Sequence, residues 1–94
     1  MPALMQVSRR LTIVNQKGLH ARASAKFVET VEAHDARAQV TRDGQTVSGD
    51  SIMGLLMLAA ARGATIDVTC TGPEAEALMG GLEALLASGF GEGV

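Results

Sequence analysis

The spacing of apolar residues changes repeatedly along the chain, and each change predicts a new element. Residues 7–14 carry the β-prone apolar side chains Leu11, Ile13 and Val14 and predict a first strand. Apolar side chains then recur at intervals of three and four over residues 21–33, the period of a helix. Similar patterns predict strands over 36–42, 45–47 and 64–71, a short apolar helix over 52–58, and a last helix opened by Gly72-Pro73.

The predicted order of elements, βαββαβα, indicates an α+β open-faced sandwich, in which a four-stranded antiparallel sheet carries three helices on one face. Asp43-Gly44 supports this order because both residues tolerate the positive φ of a two-residue hairpin turn. We expect one domain over residues 1–94, with its core over about 7–88 and a frayed, glycine-rich tail over 89–94.

Composition narrows the classes to which the chain can belong. Two phenylalanines are its only aromatic residues, the net charge is −2, and there is no basic run, so nucleic-acid binding is not expected. The single cysteine, Cys70, fits a reducing compartment and is predicted to be a buried structural thiol. Neither a signal-peptide pattern nor an apolar stretch of ~18 residues is found, so we expect a cytoplasmic protein without membrane attachment.

One cluster of residues suggests chemistry. In Gly18-Leu19-His20-Ala21-Arg22 a histidine stands where a helix begins, among backbone N–H groups without intrahelical partners and at the positive end of the helix dipole. Such a position suits a phosphate, and a histidine there could carry a phosphoryl group briefly. The local pattern is equally compatible with a commoner case, a histidine in an exposed loop that helps to cap the helix.

A second segment begins at Ser51, just before the short apolar helix over residues 52–58. Ser51 is interpreted either as an ordinary N-cap or as a site of modification. The methionines of this helix could simply fill the core. However, a helix that is apolar nearly all round cannot bury every face in so small a domain, so part of it is expected to form an exposed docking patch.

Together these segments resemble the phosphocarrier protein HPr family of the phosphotransferase system. Gly18-Leu19-His20-Ala21-Arg22 is similar to the active-site signature of that family, and Ser51-Ile52-Met53-Gly54-Leu55, 31 positions after His20, is similar to its regulatory-serine segment. Gly63-Ala64-Thr65-Ile66 and Gly72-Pro73-Glu74-Ala75 fall where the family has its last strand and last helix. The resemblance covers roughly residues 7–92.

The chain departs from the family at Ala23-Ser24, where many members place a proline directly after the active-site arginine. A proline would fix φ in the first turn of the helix, so this turn is expected to be slightly looser here. In the family, Ala-Ser at this point is typical of regulatory branches in some Proteobacteria. The departure therefore favours a regulatory role over bulk sugar uptake.

The resemblance implies that Nδ1 of His20 accepts a phosphoryl group from phosphorylated enzyme I and passes it to a histidine of an enzyme IIA. It implies that Arg22 stabilises the phosphate and that an HPr kinase/phosphorylase can modify Ser51. A carrier of this kind needs no metal or cofactor, has no turnover of its own, and is expected to be a monomer. The docking surface around His20 is predicted to consist of Ala21, Ala25, Lys26, Ile52, Met53, Leu56 and Met57.

Two other functions remain open. The chain could be an HPr-like interaction module controlled by Ser51, although the presence of both His20 and Arg22 favours the carrier. A small-molecule sensor of similar build is less favoured because no convergent polar pocket is evident. The downstream recipient also stays open between a sugar permease chain, a nitrogen-linked enzyme IIA and a kinase-controlled circuit.

Overall fold

The computed structural model describes residues 5–92, and its elements follow the predicted order βαββαβα. A single 3-10 turn, Gly89–Gly91, follows the last helix. The elements are β1 (Gln6–Thr12), α1 (Ala21–Glu32), β2 (Arg37–Arg42), β3 (Gln45–Ser48), α2 (Ile52–Met57), β4 (Thr65–Thr71) and α3 (Ala75–Ala87). The α+β prediction is confirmed, with shifts of one to three residues at most ends.

The four strands form one antiparallel sheet in the order β1-β4-β2-β3. Strand β4 lies inside the sheet, where Cys70 pairs with Val7 on one side and with Ala38 on the other. Its alternate residues Ile66, Val68 and Cys70 are completely buried. Burial raises the pKa of the Cys70 thiol to about 11. The predicted buried, unreactive thiol is therefore confirmed.

Strands β2 and β3 are joined by the predicted two-residue hairpin turn. Asp43 and Gly44 have φ values of +50° and +78°, and Arg42 pairs with Gln45 across the turn. Positive φ at both central residues is the geometry whose twist matches that of the flanking strands.

Helices α1 and α3 close the core on one face of the sheet. Their inner residues include Phe27, Leu78 and Leu82, all completely buried, and each such side chain stabilises the fold by about 1.5–3 kcal/mol relative to exposure. Gly81 allows the two helices to approach closely, because a Cβ at this position would lie 3.2 Å from Cγ2 of Thr30. Throughout residues 5–92, each helix falls short of the length and apolar character needed to cross a membrane.

The predicted frayed tail is wrong for residues 89–92. Gly89–Gly91 forms the 3-10 turn, and Phe90 is completely buried in the core. The Phe90 carbonyl also accepts a hydrogen bond of 2.6 Å from Nζ of Lys26. The glycine content suggested mobility, but the free energy of burying one aromatic ring outweighs it. Residues 93–94, also assigned to that tail, lie outside the described residues.

Candidate functional site

His20 occupies the N-cap of α1. Its backbone is extended, with φ −79° and ψ −177°, and its carbonyl accepts the first hydrogen bond of the helix from Ser24 N at 2.8 Å. The backbone N–H groups of Ala21, Arg22 and Ala23 therefore have no intrahelical acceptor. The imidazole stands at the positive end of a 12-residue helix, as the pattern predicted.

Gly18 shapes the loop that leads into this position. Its φ is +68°, and a Cβ there would lie 2.6 Å from the carbonyl oxygen of Ala60. The next residue, Leu19, is buried and donates its N–H to the same carbonyl at 2.9 Å. Only glycine fits this close approach in a left-handed conformation, so the backbone requires a glycine at position 18.

Two residues that the sequence analysis did not single out, Glu92 and Asn15, form a network with the His20 ring. Glu92 contacts the ring directly, and Asn15 contacts Glu92. Nε2 of His20 lies 2.5 Å from Oε2 of Glu92, and both side chains are about one quarter exposed. Oε1 of Glu92 accepts a hydrogen bond of 3.1 Å from Nδ2 of Asn15. Nδ1 of His20 has no hydrogen-bond partner in the part of the chain from 5 to 92, so this nitrogen is available to a ligand.

Asn15 was missed because an asparagine in a loop carries no signal of its own. It is completely buried, and Nδ2 also donates to the carbonyl of Gly18 at 2.8 Å. Glu92 was missed because it was assigned to the frayed tail. The one available signal was Phe90, since an aromatic residue in a chain with so few is more often buried than exposed.

The surroundings of Glu92 favour its ionised form. Desolvation raises the pKa of this carboxyl, but the hydrogen bonds from His20 and Asn15 and the electrostatic interactions with His20 and Lys17 outweigh desolvation, and the net pKa is lowered. The carboxylate is therefore charged near neutral pH, beside the imidazole.

Arg22 stands in the first turn of α1 and is exposed. Between residues 5 and 92 its guanidinium makes neither a hydrogen bond nor a salt bridge. A free, delocalised cation at the start of the helix can move toward an anion bound at His20.

Ser51 is the N-cap of α2. Its Oγ accepts a hydrogen bond of 2.9 Å from the backbone N–H of Gly54, and the residue is half-buried. The capping interpretation is thus confirmed, whereas the regulatory one stays a prediction. Gly54 lets α2 approach β3, because a Cβ at this position would lie 3.0 Å from Cβ of Val47.

The apolar side chains of α2 divide between core and surface. Leu55 is completely buried, whereas Ile52, Met53 and Met57 are 40%, 69% and 66% exposed. We call these three exposed residues the α2 patch. Helices α1 and α2 are in contact, so the α2 patch lies on the helix that packs beside the one bearing His20. Of the remaining predicted docking residues, Ala21 is exposed, and Ala25, Lys26 and Leu56 are half-buried.

Lys26, one of the predicted docking residues, also contacts the C-terminal tail. Its ammonium group is tied to the carbonyl of Phe90 rather than directed freely toward solvent, so its first role is to hold the tail. No group of three or more His, Cys, Asp or Glu side chains within the described residues is arranged to hold a metal ion.

Comparisons with known proteins agree with this geometry. A family model described as "PTS HPr component phosphorylation site" matches residues 7–88. The phosphocarrier protein HPr of Cupriavidus necator is 42% identical over 87 residues, which cover 93% of this chain and 98% of the relative. The phosphocarrier protein NPr of Escherichia coli K12 is 37% identical over 89 residues, or 94% and 99% of the two chains.

A crystal structure of HPr from Thermoanaerobacter tengcongensis superposes on the fold with a TM-score of 0.89. Its sequence is 32% identical, and the match covers 94% of this chain and 99% of that one. The relatives named above from Cupriavidus and Escherichia are of proteobacterial type. The chain therefore belongs to the HPr family of phosphocarrier proteins of the phosphotransferase system.

Proposed function

We propose that this protein is a histidine phosphocarrier that takes a phosphoryl group from phosphorylated enzyme I on Nδ1 of His20 and gives it to a histidine of an enzyme IIA. One observation carries the proposal: Nδ1 is unpartnered within residues 5–92, at the N-terminus of a helix whose first N–H groups are free of intrahelical acceptors. Membership of the HPr family supports the same role.

In the transfer step the lone pair of Nδ1 forms the new N–P bond. The bond between phosphorus and the donor atom breaks, and its electron pair stays with the donor. The N–H groups of Ala21 and Arg22 and the Arg22 guanidinium can donate hydrogen bonds to the phosphate oxygens. Because the guanidinium is exposed and otherwise unpartnered among the described residues, it can also release the phosphate when the acceptor docks.

The α2 patch, with Ala21 and Ala25 of α1, is the proposed docking surface for enzyme I and enzyme IIA. Exposed, flexible methionines suit a surface that must accept several partners in turn. A monomer is proposed, since one face serves both donor and acceptor. The proposed place of action is the cytoplasm, with which the reduced, buried Cys70 is compatible.

Ser51 is the proposed regulatory site for an HPr kinase/phosphorylase. Its Oγ already faces the start of α2, and Ile52 and Met53 follow directly in the exposed patch. A phosphate adds nearly two negative charges beside apolar side chains that must be desolvated on docking. Modification would therefore weaken docking without unfolding the domain.

A second candidate function is an interaction module that binds partners through the α2 patch and is switched at Ser51, without carrying phosphate. The position of Ser51 at the edge of this exposed patch favours it.

The experiment that separates the two is incubation with phosphoenolpyruvate and enzyme I. The wild-type protein should gain one acid-labile, base-stable phosphate, and His20→Ala should gain none. His34→Ala is the matched control, because His34, the only other histidine, has its Nδ1 bound to the carbonyl of Thr30 and should leave phosphorylation intact. A His20→Ala protein that still acquires this phosphate would refute the carrier assignment.

A further inference from the structure

The C-terminal tail fixes one nitrogen of His20. Glu92 accepts at both carboxylate oxygens, from His20 Nε2 at 2.5 Å and from Asn15 Nδ2 at 3.1 Å. An ionised carboxylate can only accept hydrogen bonds. The ring proton of a neutral His20 imidazole in this geometry is therefore on Nε2, and Nδ1 holds the free lone pair.

Asn15 makes this arrangement rigid. Its side chain is completely buried, and Nδ2 donates to the Gly18 carbonyl at 2.8 Å as well as to Glu92. Reversing the amide would point its oxygen at two acceptors, so the observed orientation is the one that the network requires. Asn15 thus holds Glu92 in place from the side opposite His20.

The tail itself is anchored at several points. Phe90 is completely buried, its carbonyl accepts from Lys26 Nζ at 2.6 Å, and Gly91 N–H donates to Ser88 Oγ at 3.2 Å. The φ values of residues 89, 90 and 91 are +63°, +57° and +76°. A non-glycine residue such as Phe90 keeps a left-handed conformation only where its surroundings determine it, and here they turn the chain so that Glu92 reaches His20.

We propose that Glu92 is a positioning residue that holds His20 in its Nε2–H tautomer and so directs phosphoryl transfer to Nδ1. This inference rests on the proposed carrier function. When the Nδ1 lone pair forms the N–P bond, the ring keeps its Nε2 proton and gains one positive charge, which the Glu92 carboxylate offsets. When the N–P bond later breaks, its electron pair returns to Nδ1 and the neutral tautomer is restored.

The first test needs no protein donor. Wild-type and Glu92→Ala chains, both in a His34→Ala background so that His20 is the only histidine, are phosphorylated with phosphoramidate, which transfers its phosphoryl group and releases ammonia. The phosphohistidine isomers are then distinguished by 31P and 15N NMR. We expect the Nδ1 isomer alone with Glu92 present, and both isomers in Glu92→Ala, because Nε2 then becomes an accessible nucleophile.

The second test observes the ring proton itself. The Nε2–H signal of His20 should exchange slowly with water in the wild-type protein and at least tenfold faster in Glu92→Ala, a change that loss of one carboxylate elsewhere would not produce. Glu83→Ala is the matched control, since it removes an exposed α3 carboxylate with the same change in net charge and should behave as wild type.

The outcomes separate this inference from the carrier function. Retention of either the exclusive Nδ1 product or slow ring-proton exchange in Glu92→Ala would overturn the positioning role. Phosphate on Nε2 of the wild-type protein would overturn it as well. Failure of enzyme I to phosphorylate a protein with intact NMR signatures would instead refute the proposed function and leave the positioning of His20 standing.

Discussion

At the scale of single residues, the two nitrogens of His20 have different surroundings. Nε2 is bound to a carboxylate, whereas Nδ1 has no hydrogen-bond partner among residues 5–92 and belongs to the N-cap residue of α1. The neutral N–H groups at the start of α1 and the exposed cation of Arg22 suit a phosphoryl group that must be bound and then released. A tightly desolvated ion pair would bind the phosphate more strongly and slow its departure.

Arg22→Ala should slow phosphoryl acceptance from enzyme I without abolishing it. Loss of one hydrogen bond to a charged group costs about 1.5–3 kcal/mol, or roughly a 10- to 150-fold lower rate, while the helix N–H groups remain. Arg37→Ala is the control, since Arg37 is exposed and pairs with Thr71 at the end of the sheet remote from His20. Single-turnover kinetics measure the effect, and a wild-type rate in Arg22→Ala would remove this residue from the mechanism.

Gly18→Ala should destabilise the fold more than Gly44→Ala. Both glycines have positive φ, at +68° and +78°, so both substitutions carry the same backbone strain of about 1 kcal/mol. Only at Gly18 would the new Cβ also meet a backbone oxygen, that of Ala60 at 2.6 Å, whereas Gly44 has open space. Chemical denaturation measures the difference, and equal losses in the two variants would show that the Gly18 loop relaxes freely.

At the scale of elements, the short helix α2 combines a structural cap with an exposed surface. Ser51 caps the helix, Leu55 anchors it in the core, and the α2 patch remains outside. The residue that caps the helix therefore also borders the proposed docking surface. A modification at Ser51 would act on both the cap and this surface, and substitutions can separate the two effects.

Ser51→Asp should keep the stability of the fold and weaken docking. Ser51→Ala should lower the stability of the fold and leave docking unchanged. Aspartate is as good an N-cap as serine, while alanine loses about 0.5–2 kcal/mol. The aspartate charge lies beside Ile52 and Met53, so the affinity for enzyme I should fall by about one to a few kcal/mol. Thermal unfolding and calorimetric titration measure the pair. A Ser51→Asp protein of normal affinity would place Ser51 outside the docking surface.

Among the elements, the 3-10 turn after α3 could not be predicted from the spacing of apolar residues or from turn residues. Two-fold and 3.6-fold periods identified the elements that present a repeated apolar face to the core, such as β4 and α1, whereas β3, in which only Val47 is half-buried, followed from the Asp43-Gly44 turn. Gly89–Gly91 is too short to show a period. It is held in place by the buried Phe90 side chain and by a hydrogen bond from Lys26, which is distant in the sequence. The same reason hid Asn15 and Glu92, whose roles depend on contacts between segments 77 positions apart.

At the scale of the whole molecule, the C-terminal turn Gly89–Gly91 completes the hydrophobic core through Phe90. Phe90→Ala should lower the free energy of unfolding by about 3–5 kcal/mol, because it empties a completely buried ring position. Phe90→Leu, which keeps an apolar side chain there, should lose markedly less. Urea denaturation measures both variants. A loss under 1 kcal/mol in Phe90→Ala would restore the expectation of a frayed tail.

The whole fold places its two conspicuous sequence segments on neighbouring helices that pack together. His20 begins α1, Ser51 begins α2, and the α2 patch provides the apolar surface. The fold and the positions of these residues followed from local patterns and from family resemblance. The proposed transfer of phosphate through His20 involves both enzyme I and an enzyme IIA, so a reaction that contains both proteins tests it.

The most direct measurement of this transfer is the yield of phosphorylated enzyme IIA per molecule of this protein. Phosphoenolpyruvate, enzyme I and excess enzyme IIA are mixed with a small amount of the wild-type chain, and phosphate on enzyme IIA is counted at completion. A carrier should produce many phosphorylated enzyme IIA molecules per chain, and His20→Ala should produce none above the level without the chain. A wild-type yield at that background level would contradict the assignment and favour an interaction module.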